Sequence, residues 1–183
     1  MARCNKTAYA ILGFISKRPM SGYDIKKVLE RTSKWYWAES NAQIYPILKR
    51  MEEKGCLESH VDETSGARKR RIYQITEKGL DKLKTWLLQP VEPSTYRNEF
   101  ILKINMGQHL SKEQLVQQVE HFHERIQKQV KEIQEIRNYI EEEHKDRPDY
   151  PYLMMTYGYA TEVWNTKAAW CEKTLAELQE TIS

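Results

Sequence analysis

Residues 41–55 read NAQIYPILKRMEEKG. Within them Ile44, Ile47, Leu48 and Met51 fall at i, i+3, i+4 and i+7, which is one apolar stripe of an α-helix. At about 100° per residue the opposite face carries Ala42, Pro46, Lys49 and Glu53, flanked by Gln43, Tyr45 and Arg50. Ser40 is placed to cap this helix, because its hydroxyl can accept an orphan backbone N–H. Gly55 stands just past the last turn, where glycine is favoured. Counted from Ser40, Pro46 lies one turn inside, where it removes a backbone donor and crowds the carbonyl of Ala42. A helix that tolerates this and bares Asn41, Gln43 and Tyr45 is expected to offer its first turn to a partner, at an angle a regular helix would not give.

The flanking sequence sets this helix in a series. NKTAYAILGFIS at 5–16 is an apolar helix that must end near Lys17-Arg18-Pro19, since proline cannot continue it. SGYDIKKVLERTS at 21–33 is a second helix, with Ile25, Val28 and Leu29 on its buried face. Trp35, Tyr36 and Trp37 follow in a connector, and the two tryptophans are expected to pack. CLESHVDE at 56–63 alternates like a half-buried strand, TSGA at 64–67 is turn chemistry with Gly66 free for positive φ, and RKRRIYQIT at 68–76 is the return strand. Tyr73 is expected to pack inward from it. Thr76 caps a further helix, EKGLDKLKTWLL. The run QPVEP at 89–93 breaks the chain, which places a front domain at 1–90 and a rear domain at 91–183.

The rear domain reads as helical. Asn98 to Met106 is a short helix, and Ser111 with Gln114 three positions on has capping-box spacing. Leu115, Val119, Phe122, Ile126, Val130, Ile133 and Ile140 then recur at steps of three, four and seven, a coiled-coil-like seam. EEEHKDRPDYP at 141–151 is a charged connector, and a last helix runs from about Tyr152 to Ile182.

Composition limits the function classes. The 183 residues are 40% hydrophobic and 30% charged, which suits a soluble, charge-rich helical protein. No apolar run approaches the roughly 18 residues of a membrane span. The short apolar run near the N-terminus is followed by Lys17-Arg18-Pro19 rather than a small-residue cleavage site, so it is expected to be a core helix of a cytoplasmic protein. Cys4, Cys56 and Cys171 are scattered and form no CxxC pair, so no disulfide framework, metal site or cofactor is expected. Residues 1–90 hold 18 Lys and Arg against 10 Asp and Glu, whereas residues 91–183 hold 11 against 16. A basic front and an acidic rear suggest that the front half meets a polyanion.

Three helices, a two-stranded hairpin and a following helix is the order of a winged helix-turn-helix. The predicted fold is therefore mainly α, with this N-terminal domain followed by a helical C-terminal domain built on a long coiled-coil-like helix. The third helix would stand on its apolar stripe and offer its front to a DNA major groove. Asn41 and Gln43 carry amides able to pair with adenine edges, and Tyr45 can reach a base or phosphate. Lys49 and Arg50 lie further back, where phosphates run. Arg68, Lys69, Arg70 and Arg71 sit at the return of the wing, where such a cluster can straddle a phosphate backbone or enter a minor groove.

The segments LGFI at 12–15, SGYDI at 21–25, Trp35, NAQIYPILKRMEEKG at 41–55 and RRIYQITEKG at 70–79 together resemble the PadR family of bacterial transcriptional regulators. The length and helicity of the rear half resemble the AphA-like subgroup with an extended C-terminal helical domain. The resemblance implies a homodimer whose rear helices associate, with Leu115, Val119, Phe122, Ile126, Val130, Ile133, Ile140 and Leu175 as interface candidates. It implies two winged helices reading a palindromic operator in double-stranded DNA, usually to repress, and in some members release by a small aromatic effector such as a phenolic acid. It carries DNA contact onto Gln43, Tyr45, Tyr23 and the basic residues Arg68 to Arg71. It supplies no ligand motif for the rear half. Aromatic walls suit flat ligands, so Met154, Tyr157, Trp164 and Trp170 are candidates for an effector pocket between subunits, although core or dimer packing is the commoner use of such residues.

Two rivals remain at this level. One is a small-molecule sensing or protein-interaction protein whose winged helix does not read DNA sequence. The other is an enzyme carrying a winged helix, for which the sequence offers no phosphate loop, nucleophile elbow or carboxylate pair. His121 and His123, two apart on a helix, point to different sides and do not form a metal pair.

Overall fold

In a computed structural model of the chain, residues 6–30, 37, 43–62, 70–93 and 97–181 are described. The fold is mainly helical, in two compact units, Met1–Pro93 and Ser94–Ser183. None of its described helices is long and apolar enough to cross a membrane.

The front unit begins with α1 (Lys6–Ile15), followed by a two-residue strand β1 (Met20–Ser21) and α2 (Gly22–Val28). Ser21 ends the strand and caps the helix. Its hydroxyl accepts from the Asp24 N–H, and the Asp24 carboxylate accepts from the Ser21 N–H at 3.1 Å, a capping box. The third helix, α3, runs Ile44–Glu53, and Gly55 beyond it takes φ +67°. That left-handed backbone is why glycine ends this helix. Strands β2 (Leu57–Asp62) and β3 (Arg70–Ile75) form the wing, and α4 (Glu77–Leu87) closes the unit.

The sheet has three strands, in the order β1-β3-β2, all antiparallel. The sequence predicted only the hairpin. Two residues are too few to show a period-2 pattern, so β1 was not legible. It pairs Met20 with Tyr73 and Ser21 with Ile72, tying the start of α2 to the wing.

Ile11, Leu12, Ile15, Met20, Ile25, Leu29, Ile44, Ile47, Leu48, Met51, Leu57, Tyr73 and Leu83 make one buried core, with Trp37 packed against it. All four stripe residues of α3 lie in it, as does Tyr73, as the spacing predicted. The Tyr9 and Trp86 rings stack at 4.7 Å and join α1 to α4. Thr76 forms a tight corner: its hydroxyl accepts from the Gly79 N–H and donates to the Gly55 carbonyl at 2.8 Å.

The rear unit contains α5 (Glu99–Asn105), a short 3₁₀ turn at 107–109, α6 (Lys112–Glu143) and α7 (Tyr150–Thr181). Ser111 and Gln114 form the expected capping box. Helix α6 continues three residues past Ile140, into what the sequence predicted as connector, because nothing before Pro148 forbids helix there. On α6, Val119, Ile126, Ile133 and Ile140 are buried at heptad spacing. On α7 the matching series is Tyr157, Cys171 and Leu178 at multiples of seven, with Ala160 beside it. The two helices form an antiparallel hairpin: Lys112 reaches the Gln179 carbonyl at 3.3 Å, and His123 lies 3.4 Å from Glu172. A strict heptad repeat is the pattern that holds two long helices along a common seam.

The seam that the sequence assigned to a partner chain is thus filled, for Val119, Ile126, Ile133 and Ile140, by α7 of the same chain. Val119 is fully buried with no second chain present. Periodicity reveals that a seam exists, but it does not say whether the partner helix belongs to the same molecule. Leu115, Phe122 and Leu175 pack at the margin of the same cluster, and Val130 is half-buried.

Candidate nucleic-acid interface

Helix α3 is divided sharply between core and solvent. Ile44, Ile47, Leu48 and Met51 face inward with at most 6% exposure, while Gln43, Tyr45, Pro46, Lys49 and Arg50 are exposed. Burying four such side chains stabilises by very roughly 1.5–3 kcal/mol each, so the helix is held by its back and its front is free to be polar. Arg50 Nε donates to the Pro46 carbonyl at 3.3 Å, and Lys49 stands 4.0 Å from Glu53. Ser40 and Asn41 lie outside the described residues, as do Gly66, Arg68 and Lys69.

Because α3 starts at Ile44 with Gln43 as its cap, Pro46 is the third helical residue. Gln43, just before the helix, also has right-handed helical backbone, and Ala42, whose carbonyl the expectation of a crowded first turn concerns, lies outside the described residues.

Tyr23, on α2, is exposed, and Lys27 lies over its ring at 4.7 Å. Arg70 is exposed at the loop end of the wing, opposite Asp62. Burial raises the pKa of the Asp24 carboxyl, but the two hydrogen bonds from Ser21, with the charges of Arg70 and Arg18, outweigh it and the net shift is downward. Arg18, Asp24 and Arg70 therefore share one electrostatic neighbourhood beside the front of the unit.

Arg71 has a different place from its neighbour. Its Nη2 donates to both carboxylate oxygens of Glu52 at 2.8 Å, and its Nε donates to the Ser59 hydroxyl at 2.7 Å. Ser59 in turn donates to Glu52 at 2.6 Å. The sequence placed Arg71 among the phosphate contacts; in the structure its guanidinium bonds Glu52 and Ser59 while its side chain stays 57% exposed. The cause is strand alternation, which sends consecutive side chains to opposite faces. Arg71 shares the α3-facing side of β3 with Tyr73, and its guanidinium lies 5.8 Å from that ring. The result is a clamp from the end of α3 to both strands of the wing.

The hydrogen bond from Ser59, joined by those from Arg71, holds the Glu52 carboxyl below its ordinary value of 4.5, against an opposing effect of burial. A carboxyl depressed in the folded state stabilises above its unfolded pKa, and that stability is lost as pH falls through the folded value. Wild-type protein is expected to lose stability as pH drops below about 4.5, and Glu52→Gln to lose less over that interval. Urea denaturation at a series of pH values checks this; parallel curves for the two proteins would show that the clamp contributes nothing.

Of the effector-pocket candidates, Tyr157 is buried in the α6–α7 seam and Trp170 packs edge-on against Phe100 at 5.9 Å. They are thirteen residues apart, about 20 Å along a helix, so the four do not line one cavity within the chain. A shallow groove on the hairpin runs past Gln127, Gln134, Asn138 and Asn165, and none of the four borders it.

Residues 11–85 match the model of the transcriptional regulator PadR-like family, and residues 96–179 match the virulence activator alpha C-terminal model. The front unit is thus similar to the PadR-like family of transcriptional regulators. It is 27% identical to the negative transcriptional regulator PadR of Bacillus subtilis over 182 residues, covering 94% of this chain and 97% of that protein. The crystal structure of that regulator in complex with operator DNA superposes with a TM-score of 0.83, at 25% identity, over 95% of this chain and 99% of the other. The Vibrio cholerae virulence activator AphA superposes with a TM-score of 0.72, at 28% identity, over 94% and 97% of the two chains. The chain thus pairs a front domain similar to the PadR-like regulators with a helical C-terminal domain similar to that of the virulence activators.

Proposed function

We propose that this protein is a cytoplasmic, homodimeric repressor that reads a palindromic operator. The front domain, residues 1–90, binds DNA; the rear domain, 91–183, dimerises and receives any effector. The observation that carries the reading is the divided α3: a fully buried apolar stripe behind an exposed Gln43, Tyr45, Lys49 and Arg50. Gln43 and Tyr45, with Asn41, read bases; Tyr23, Lys49, Arg50, Arg68, Lys69 and Arg70 take phosphates or the groove edge. Arg71 positions the wing. The structure of the B. subtilis relative on operator DNA supports the same use of the surface here.

Exposed apolar surface on α7 supports dimerisation. Tyr152, Met155 and Tyr159 line one side of α7 at steps of three and four, each about two-thirds exposed. Contiguous apolar surface of that kind marks an interaction site. Two such chains would hold their α3 helices about 34 Å apart, on successive major grooves. The structure of B. subtilis PadR with p-coumaric acid, which superposes at a TM-score of 0.75 and 26% identity, supports a small aromatic effector. Such a ligand would act by favouring one dimer arrangement over another.

Base readout and phosphate contact separate experimentally. Gln43→Ala is expected to lower discrimination between the best sequence and single-base variants, by roughly tenfold at one position. Arg70→Ala is expected to weaken binding to all sequences and to reduce the salt slope by about one phosphate's worth. Binding titrations at several salt concentrations check both. Equal, sequence-independent losses in the two variants would favour a winged helix that does not read sequence.

A further inference from the structure

Gly22 opens α2, yet its reason for being glycine lies on α3. A β-carbon built there would stand 2.7 Å from Cε1 and 3.1 Å from Cζ of Tyr45, and 3.4 Å from Cδ1 of Leu48. The first distance is well inside van der Waals contact, so the Tyr45 ring rests on the bare backbone of Gly22. No positive φ accounts for the glycine, because the only residue of that kind among those described is Gly55.

We infer that Gly22 is a positioning residue for DNA recognition, the seat that fixes where the Tyr45 ring stands at the front of the third helix. The inference rests on the reading of Tyr45 as a DNA contact. The two positions differ in what can yield. Tyr45 is 60% exposed and can swing into solvent, whereas Leu48 is fully buried. A methyl group at 22 would therefore move the ring and leave the core in place. The strand pairing of Ser21 with Ile72 holds this start of α2 against the wing, so the seat itself does not shift. Recognition would thus depend on a residue that offers DNA no side chain at all.

The test is a double-mutant cycle on full-length protein, using the DNA fragment that the wild type selects most strongly from a random library. Gly22→Ala, Tyr45→Ala and the double variant are compared for affinity and thermal midpoint. Gly22→Ala is expected to keep its midpoint, since alanine is the better helix former, and to lose affinity by roughly tenfold. Tyr45→Ala is expected to lose affinity to a similar degree, and Gly22→Ala to cost nothing further in that background, because the ring it displaces is gone. Equal penalties from Gly22→Ala in both backgrounds, or no penalty beside an intact ring, would overturn the seat while leaving Tyr45 as a contact. No loss from Tyr45→Ala would overturn the contact and the seat together. If Gly22→Ala alone fails to fold and the double variant folds, the ring is the obstacle and the seat stands; if neither folds, the obstacle is elsewhere and it falls.

Discussion

Gly79→Ala is expected to unfold the front unit well before wild type. Gly79 sits in the first turn of α4, where a methyl group would fall on the carbonyl oxygen of Cys56 and stand 2.9 Å from Ile75 Cγ1. The obstacle is backbone, and it is pinned. The same Cys56 carbonyl accepts from the Thr76 N–H at 3.2 Å, and Thr76 ties the corner to Gly55 and Gly79. Neither the helix nor the β2 entry can retreat without breaking these bonds. Overpacking against a rigid neighbour costs about 3 kcal/mol, a large share of a stability of about 5–15 kcal/mol. For a unit of this size that lowers the melting temperature by roughly 12 °C or more. Calorimetry or thermal circular dichroism reads it directly. A variant melting within a degree or two of wild type would mean that the corner is looser than its hydrogen bonds imply.

The second large effect lies in the hairpin of the rear unit. Ile126 is 3% exposed, buried against α7 of its own chain. Ile126→Ala is expected to lose about 2–5 kcal/mol of stability through lost transfer energy and the cavity left behind. Because the seam closes within one molecule, the self-association constant of the folded variant should match that of wild type in sedimentation equilibrium. Met155→Ala should do the opposite, weakening association with little change in the unfolding midpoint. A variant at Ile126 that dissociates while remaining as stable as wild type would show that the seam joins two chains after all.

The two buried positions illustrate what the sequence made legible. The apolar stripe at 44, 47, 48 and 51 predicted the buried back of α3, and with the wing hairpin and Thr76 it gave the winged helix-turn-helix order. Local caps were equally readable, since Ser111-x-x-Gln and Gly55 act through neighbours a few residues away. What was not legible depends on distant contact. Whether the heptad at 119, 126, 133 and 140 meets its own chain or another is a matter of topology, not period. The four cations at 68–71 read as one basic patch, yet Arg71 is bonded to Glu52, a residue nineteen positions earlier. Strand β1 exists only because β3 lies beside it. The demand for glycine at 22 and 79 comes from Tyr45 and Cys56, and nothing in SGYD or TEKG names those partners. The meaning of Pro46 depends on where the helix begins, and boundaries are the least readable feature of a sequence.

The central claim is that the front of α3 reads DNA sequence in a symmetric pair. It is tested most directly by letting purified wild-type protein select fragments from a random DNA library, followed by footprinting of the winners. The account predicts an enriched palindrome whose half-sites lie about one helical turn apart. Salt-sensitive binding with no enriched sequence would contradict it, showing the basic front to be a general phosphate surface.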